Sequence, residues 1–266
     1  MTTGVISNYL ENKILDHTLR NSAYTSPGED IYIALFTDDT AQDDANSGTE
    51  VSGGDYARVQ VTAWNAPSSG STANTSDITF PTASADWGNI RYVGIMDAST
   101  EGNLLFWGQL DEDKDVTNGD TFSVSAEDLD IWLGGAFSTA CSGSVINHTL
   151  RNTAMGVSGS KVYVALYFDD PTAADVGTEV SGSAGYSRKN ITDWSEPVSG
   201  STVNVAIEAF GAASSTWGTI SHIGIKNTEG PTGGDLLYYG ALTDSKTVGN
   251  GDTFRFSASA LSITID

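Results

Sequence analysis

The sequence predicts a mainly β protein made of two tandem antiparallel β-sandwich-like domains, each preceded by a short N-terminal helix. Three observations predict it. With 29 glycines, 6 prolines, 39% hydrophobic and 17% charged residues, the chain is too apolar for disorder and too rich in small residues for a helical bundle. Short β-branched and aromatic runs recur between turn-forming clusters. Above all, one pattern of about 130 residues occurs twice. The length of 266 residues fits two cores better than one, since single cores rarely grow beyond about 250 residues.

The duplication is carried by many ordered blocks. His17-Thr18-Leu19-Arg20-Asn21 returns as His148-Thr149-Leu150-Arg151-Asn152, and Tyr32-Ile33-Ala34-Leu35 as Tyr163-Val164-Ala165-Leu166. Gly48-Thr49-Glu50-Val51-Ser52-Gly53 returns as Gly177-Thr178-Glu179-Val180-Ser181-Gly182. Trp64 matches Trp194, Trp87-Gly88 matches Trp217-Gly218, and Gly119-Asp120-Thr121-Phe122 matches Gly251-Asp252-Thr253-Phe254. The predicted units are residues 1–133 and 144–266, joined by a linker over 134–143 composed mainly of small residues. A connection of about ten residues keeps the two units in contact.

Within the first unit, Ile6, Leu10 and Ile14 recur at helical spacing and predict an amphipathic helix over Ser7–Asn21. Ser7 suits the N-cap, and Glu11 favours the positive end of the helix dipole. The second unit keeps only Ser144–Asn152 of this pattern, which predicts a shorter helix. Ile31–Phe36 and Lys161–Phe168 predict strands that end in turns at Asp38-Asp39 and Asp169-Asp170. Ala57–Trp64, Ser76–Phe80, Asn89–Met96, Asn103–Leu110, Thr121–Ala126 and Leu129–Leu133 supply the other strands of unit one. About seven short strands per unit favour a sandwich over a βαβ fold.

Charge and composition exclude several functions. Twelve Lys and Arg against 34 Asp and Glu give a net charge of −22, which repels phosphate backbones and anionic membranes and excludes nucleic acid and membrane as partners. The first unit is the more acidic, with 22 acids and 5 bases in residues 1–133 against 12 and 7 in 134–266. The single cysteine, Cys141, allows neither an intramolecular disulfide nor a multi-thiolate metal site. No apolar run reaches the roughly 18 residues that span a bilayer, and Met1-Thr2-Thr3-Gly4 lacks the basic start of a signal peptide. Synthesis in the host cytoplasm is the expectation.

Chemistry-bearing motifs are scarce. His17, His148 and His222 stand in no metal-binding spacing, and the recurring His-x-Leu-Arg is read as orienting the helix end by hydrogen bonds to the following loop. No nucleophile elbow, phosphate loop or dinucleotide fingerprint occurs, so no catalytic residue, cofactor or metal is assigned and the chain is read as a non-enzyme. Asp38-Asp39, Asp43-Asp44 and Asp111-Glu112-Asp113-Lys114-Asp115 have the oxygen donors for Ca²⁺ but not the spacing of a calcium loop. They are read as solvated turns, since the last run becomes Thr243-Asp244-Ser245-Lys246-Thr247 in unit two. Trp64, Trp194, Trp87 and Trp217 recur in strand-like contexts and are assigned to the core. Trp107 and Trp132 face Tyr239 and Thr264 in the second unit and are the interface candidates.

The series His-x-Leu-Arg-Asn, Gly-Thr-Glu-Val-Ser-Gly, Tyr-x-Arg, Trp-Gly-x-Ile, Gly-x-Leu-Leu and Gly-Asp-Thr-Phe resembles a family of tailed-bacteriophage virion structural proteins, commonly labelled tail fibre proteins. The resemblance covers both units and departs from its single-domain relatives in the tandem copy. It implies a structural role in the virion, with partners among the tail, baseplate or major capsid proteins. The favoured expectation is a tail-associated accessory protein. Capsid decoration and a glycan-binding or glycan-cleaving attachment protein, with Trp107 and Trp132 in a cleft, are the alternatives. Two similar units per chain suggest a homo-oligomer, with a trimer presenting six quasi-equivalent sites.

Overall fold

The computed structural model describes residues 5–37, 42–155, 161–181, 185–230 and 233–265. The first repeat contains β1 (Val5–Ile6), α1 (Asn8–Leu19), β2 (Tyr32–Thr37), β3 (Val59–Gln60), β4 (Ser71–Ala73), β5 (Ile78–Thr82), β6 (Gly88–Met96), β7 (Leu104–Val116), β8 (Thr121–Val124) and β9 (Asp130–Trp132). The second contains α2 (Thr139–Leu150), β10 (Val162–Tyr167), β11 (Lys189–Ile191), β12 (Ser201–Val203), β13 (Glu208–Ala209), β14 (Gly218–Lys226), β15 (Leu236–Val248), β16 (Arg255–Phe256) and β17 (Ser262–Thr264). The paired strands are antiparallel, as the alternating runs predict.

Each repeat places a large sheet against two short ribbons. The first has the order β1-β7-β6-β2-β3 with ribbons β4–β9 and β5–β8, and the second has β11-β10-β14-β15 with ribbons β12–β17 and β13–β16. Ile33, Leu35, Val93 and Ile95 of the large sheet share one buried cluster with Ile78, Phe80, Phe122 and Ile131 of the ribbons. Buried and exposed residues alternate along β8, which is how a strand with one wet face positions its side chains.

Helix α1 starts where the sequence predicts: Ser7 is the N-cap, its Oγ accepting from the Leu10 amide at 3.3 Å. Leu10, Ile14 and Leu15 are fully buried. Helix α2 corrects the expectation of a shorter partner, because it has the same 12 residues as α1. Thr139–Gly143, read as linker, forms its first turns. Ser138 caps it by accepting from the Cys141 amide at 3.0 Å, and buried Cys141, Val145 and Ile146 outweigh the weak helix propensity of Ser and Gly.

The acidic run of the first repeat is a second correction. Asp111–Asp115 is not a turn but the outer half of the 13-residue β7, with Asp115 opposite Asn89 and Lys114 opposite Ile90. Charged side chains are well placed on such an edge, where they face water and discourage pairing with other chains. The segment Ala57–Trp64 shrinks to the two residues of β3.

The two repeats interlock through their helices. Helix α1 packs against its own β7 and against β12 of the second repeat, and α2 packs against its own β15 and β4 of the first. The amide of Gly200 donates to Asn12 Oδ1 at 3.2 Å, and the hydroxyls of Thr18 and Tyr238 lie 2.8 Å apart. The equivalent residues Glu11 and Ser142 lie against the equivalent glycines Gly200 and Gly70. This reciprocity is that of an isologous dimer drawn into one chain. As a result the expected two cores are one continuous buried cluster with members from both repeats.

Candidate functional site

The repeated polar motifs build internal clamps. Arg188 Nε and Nη2 donate to the two carboxylate oxygens of Glu179 at 2.8 and 2.7 Å, and its Nη1 donates to the carbonyls of Thr228 and Gly233 at 3.0 and 3.2 Å. Tyr186 donates to the same carboxylate at 3.1 Å and accepts from the Leu166 amide at 3.1 Å. The first repeat repeats the arrangement with Arg58, Glu50 and Tyr56, where Arg58 reaches the carbonyls of Ala98 and Glu101. Burial pushes both tyrosine hydroxyls far above the ordinary phenol range, so neither serves as an acid or base at neutral pH.

Asn74 and Asn204 were not singled out by sequence reasoning, yet each is fully buried and holds three backbone groups. Asn74 donates to the carbonyls of Ser76 and Ser125 at 2.8 Å and accepts from the Leu129 amide at 2.9 Å. Asn204 makes the equivalent three bonds to Ala206, Ser257 and Leu261. Their recurrence at matching positions was the available signal. In the second repeat Lys226, buried beside Asp175, replaces Met96, and Tyr167 bonds Asp175 where the first repeat packs Phe36 in an apolar cluster.

The four paired tryptophans are buried, as expected of core residues. Trp87 and Trp217 stand edge-on to Tyr56 and Tyr186 with centroids 5.4 Å apart in both repeats. The two interface candidates lie on different sheets. Trp107, on β7, meets Tyr92 edge-on at 6.0 Å and donates to Asp44 Oδ1 at 2.7 Å. Trp132, on β9, is 53% exposed and lies over Gly134, where an added Cβ would strike its ring.

The histidines orient loops at the junction. His17 Nδ1 accepts from the Tyr24 amide at 3.1 Å, and its ring stacks on His148 with centroids 6.0 Å apart. His148 faces two carbonyls, those of Thr153 at 3.0 Å and Tyr24 at 2.8 Å. Burial, and then the charge of His148, lower the pKa of His17. A folded pKa below the unfolded value of about 6.5 contributes stability that is full above that pH and is lost as pH falls toward the folded value. The melting temperature should therefore drop from pH 8 to pH 5, and His17→Asn, which keeps an acceptor for Tyr24, should flatten the slope. Equal slopes in thermal melts of the two proteins would refute this role.

Elsewhere, Ser221 Oγ lies 2.8 Å from His222 Nδ1, but it donates to the Phe168 carbonyl at 2.7 Å and so holds no proton for a base to take. Among the described residues no three His, Cys, Asp or Glu side chains converge as metal ligands. Asp38-Asp39 lies outside the described residues. Asp43 acts as a turn cap, accepting from the amides of Ser47 and Ala45 at 3.0 Å, and the hydroxyl and amide of Ser47 lower its pKa.

Surface apolarity is uneven in a way the composition did not reveal. Among the described residues, Trp132 is the large exposed apolar side chain of the first repeat, whereas Val176, Val198, Val205 and Ile207 are exposed on the second. A cavity of about 1220 Å³ opens between β15 and the β16–β17 edge of the second repeat. Its first-repeat counterpart, whose charged lining is Asp111, Glu112, Lys114 and Asp128, measures about 460 Å³.

No helix among the described residues is long and apolar enough to cross a membrane. No curated protein matches the chain. A family model described as Podophage GP4 fiber I protein gp80 matches residues 5–132 and again residues 136–264. With one match to each copy of the duplicated pattern, the chain belongs to this family of phage fibre structural proteins.

Proposed function

We propose that this protein is a tail-associated accessory component of a tailed-phage virion that acts through protein–protein assembly and not through turnover. The observation that carries the reading is the double match to a phage fibre family over nearly the whole chain. The clamps support it, because the motif residues that recur in both copies are spent on internal hydrogen bonds and ion pairs. One repeat attaches to the tail or baseplate and the other supports the fibre, and the interlocked helices hold the two surfaces in fixed relation. A homo-oligomer, with three chains presenting six similar modules, would match a six-fold ring.

The test is imaging of intact particles with the density of this chain located and counted. The expected result is a few to a few dozen copies at the tail. Hundreds of copies on the head shell would assign the chain to capsid decoration and overturn the reading. Release of reducing sugar from host polysaccharide by the purified chain would overturn its non-enzymatic part.

A further inference from the structure

The duplicated sequence supplies its own control, since any feature present in one repeat and absent from the other is not required by the fold. The seam between β15 and the β16–β17 edge is such a feature. In the first repeat it is a pocket of about 460 Å³ lined by Asp111, Glu112 and Asp128 with Lys114, and in the second it is a cavity of about 1220 Å³. Strand β15 is the end strand of its sheet, and its inner half is covered at Tyr238 and Tyr239 by Phe137 and Ala136. From Leu242 to Val248 its outer edge has no strand partner among the described residues.

The residues around this edge have changed in one direction. Asp111, Asp113 and Asp115, which guard the edge of β7, correspond to Thr243, Ser245 and Thr247. Asp77, whose carboxylate accepts from the Ala126 amide at 2.8 Å, corresponds to Ile207, which forgoes that bond and leaves 62% of its surface exposed. Thr75 corresponds to exposed Val205, and Ser123 to Arg255. Ile223 and Ile225 line the seam within. Lys246, kept from Lys114 of the first repeat, and the new cation Arg255 lie at the rim with one remaining acid, Asp244, and neither cation has an ion-pair partner among the described residues. Loss of guarding charge, gain of apolar surface and unpaired cations together describe an acceptor for an extended chain.

We propose that this seam binds an extended segment of another virion polypeptide in which apolar and acidic residues alternate, adding a strand to the free edge of β15. Its apolar side chains enter the cavity beside Ile207, Ile223 and Ile225, and its carboxylates meet Lys246 and Arg255. The proposal rests on the assembly reading of function. It is measured on the isolated chain, so its failure would be distinct from a failure to find the chain at the tail.

The experiment is calorimetric titration of the full chain with the capped peptide acetyl-(Glu-Val)₄-amide and its lysine counterpart acetyl-(Lys-Val)₄-amide. Saturable one-to-one binding of the glutamate peptide alone is expected. Ile207→Asp and Arg255→Ser, both at exposed positions and both restoring the first-repeat residue, should each weaken binding at least tenfold at an unchanged melting temperature. No saturable binding, equal binding of the lysine peptide, or indifference to both substitutions would overturn the proposal. So would self-association of the chain that Ile207→Asp abolishes in the absence of peptide binding, which would assign the seam to a second copy.

Discussion

Arg188→Ala is expected to cost about 3–5 kcal/mol of folding stability, against about 1–3 kcal/mol for the same change at Arg58. The two positions make the same bidentate pair, at 2.7 Å to the second carboxylate oxygen in each repeat, and differ in burial. The Arg188 and Glu179 side chains are 1% and 10% exposed, so truncation strands a carboxylate and two carbonyls away from water. At Arg58 and Glu50 the figures are 7% and 27%, and water can enter to solvate Glu50. Urea unfolding midpoints should fall further for Arg188→Ala than for Arg58→Ala. The double variant Arg188→Met with Glu179→Leu should recover most of the loss, because removing both charges removes the uncompensated one. Equal losses at the two arginines would contradict the burial argument.

The second large effect is expected at the junction. Gly200 has φ +67°, and an added Cβ would meet the Ile265 carbonyl and, at 2.6 Å, a carboxylate oxygen of Glu11 on α1. Gly200→Ala combines a left-handed strain of about 1–2 kcal/mol with displacement of backbone, for a total of about 3 kcal/mol. Gly28→Ala is the control, since φ there is +76° and nothing lies within 4 Å of the added atom, so the cost is about 1 kcal/mol. Because Glu11 belongs to the first repeat and Gly200 to the second, the substitution should lower a single transition common to circular dichroism and tryptophan fluorescence. Two separated transitions would show that the repeats unfold independently and that the shared buried cluster does not couple them.

Much of the fold was legible because its causes are local. Ser7 caps α1 in the sequence and in the structure, since an N-cap needs only a hydroxyl and the amide three residues on. The paired tryptophans and the runs Tyr32–Thr37 and Val162–Tyr167 are buried as their composition predicts. The first turns of α2 were not legible, because Ser142 and Gly143 are poor helix formers stabilised by burial of Cys141 against residues far away in the chain. The outer half of β7 was missed for a related reason: carboxylates favour turns locally, and only pairing with β6 extends the strand through them. Of the interface candidates, exposed Trp132 stood out as an unpaired aromatic, while Ile207 and Arg255 carried no signal until their neighbours were known.

The sequence by itself determined the duplication, the antiparallel β class, the absence of recognisable catalytic motifs and the likeness to phage fibre proteins. All of these are written in residue types and spacings along the chain. Only the tertiary structure decided that the helices cross to the opposite repeat, that both repeats share one buried cluster, and that the seam of the second repeat holds a larger cavity than its twin. Those features depend on which surfaces meet across more than a hundred residues, and contact energies at that separation leave no periodicity in the sequence to read.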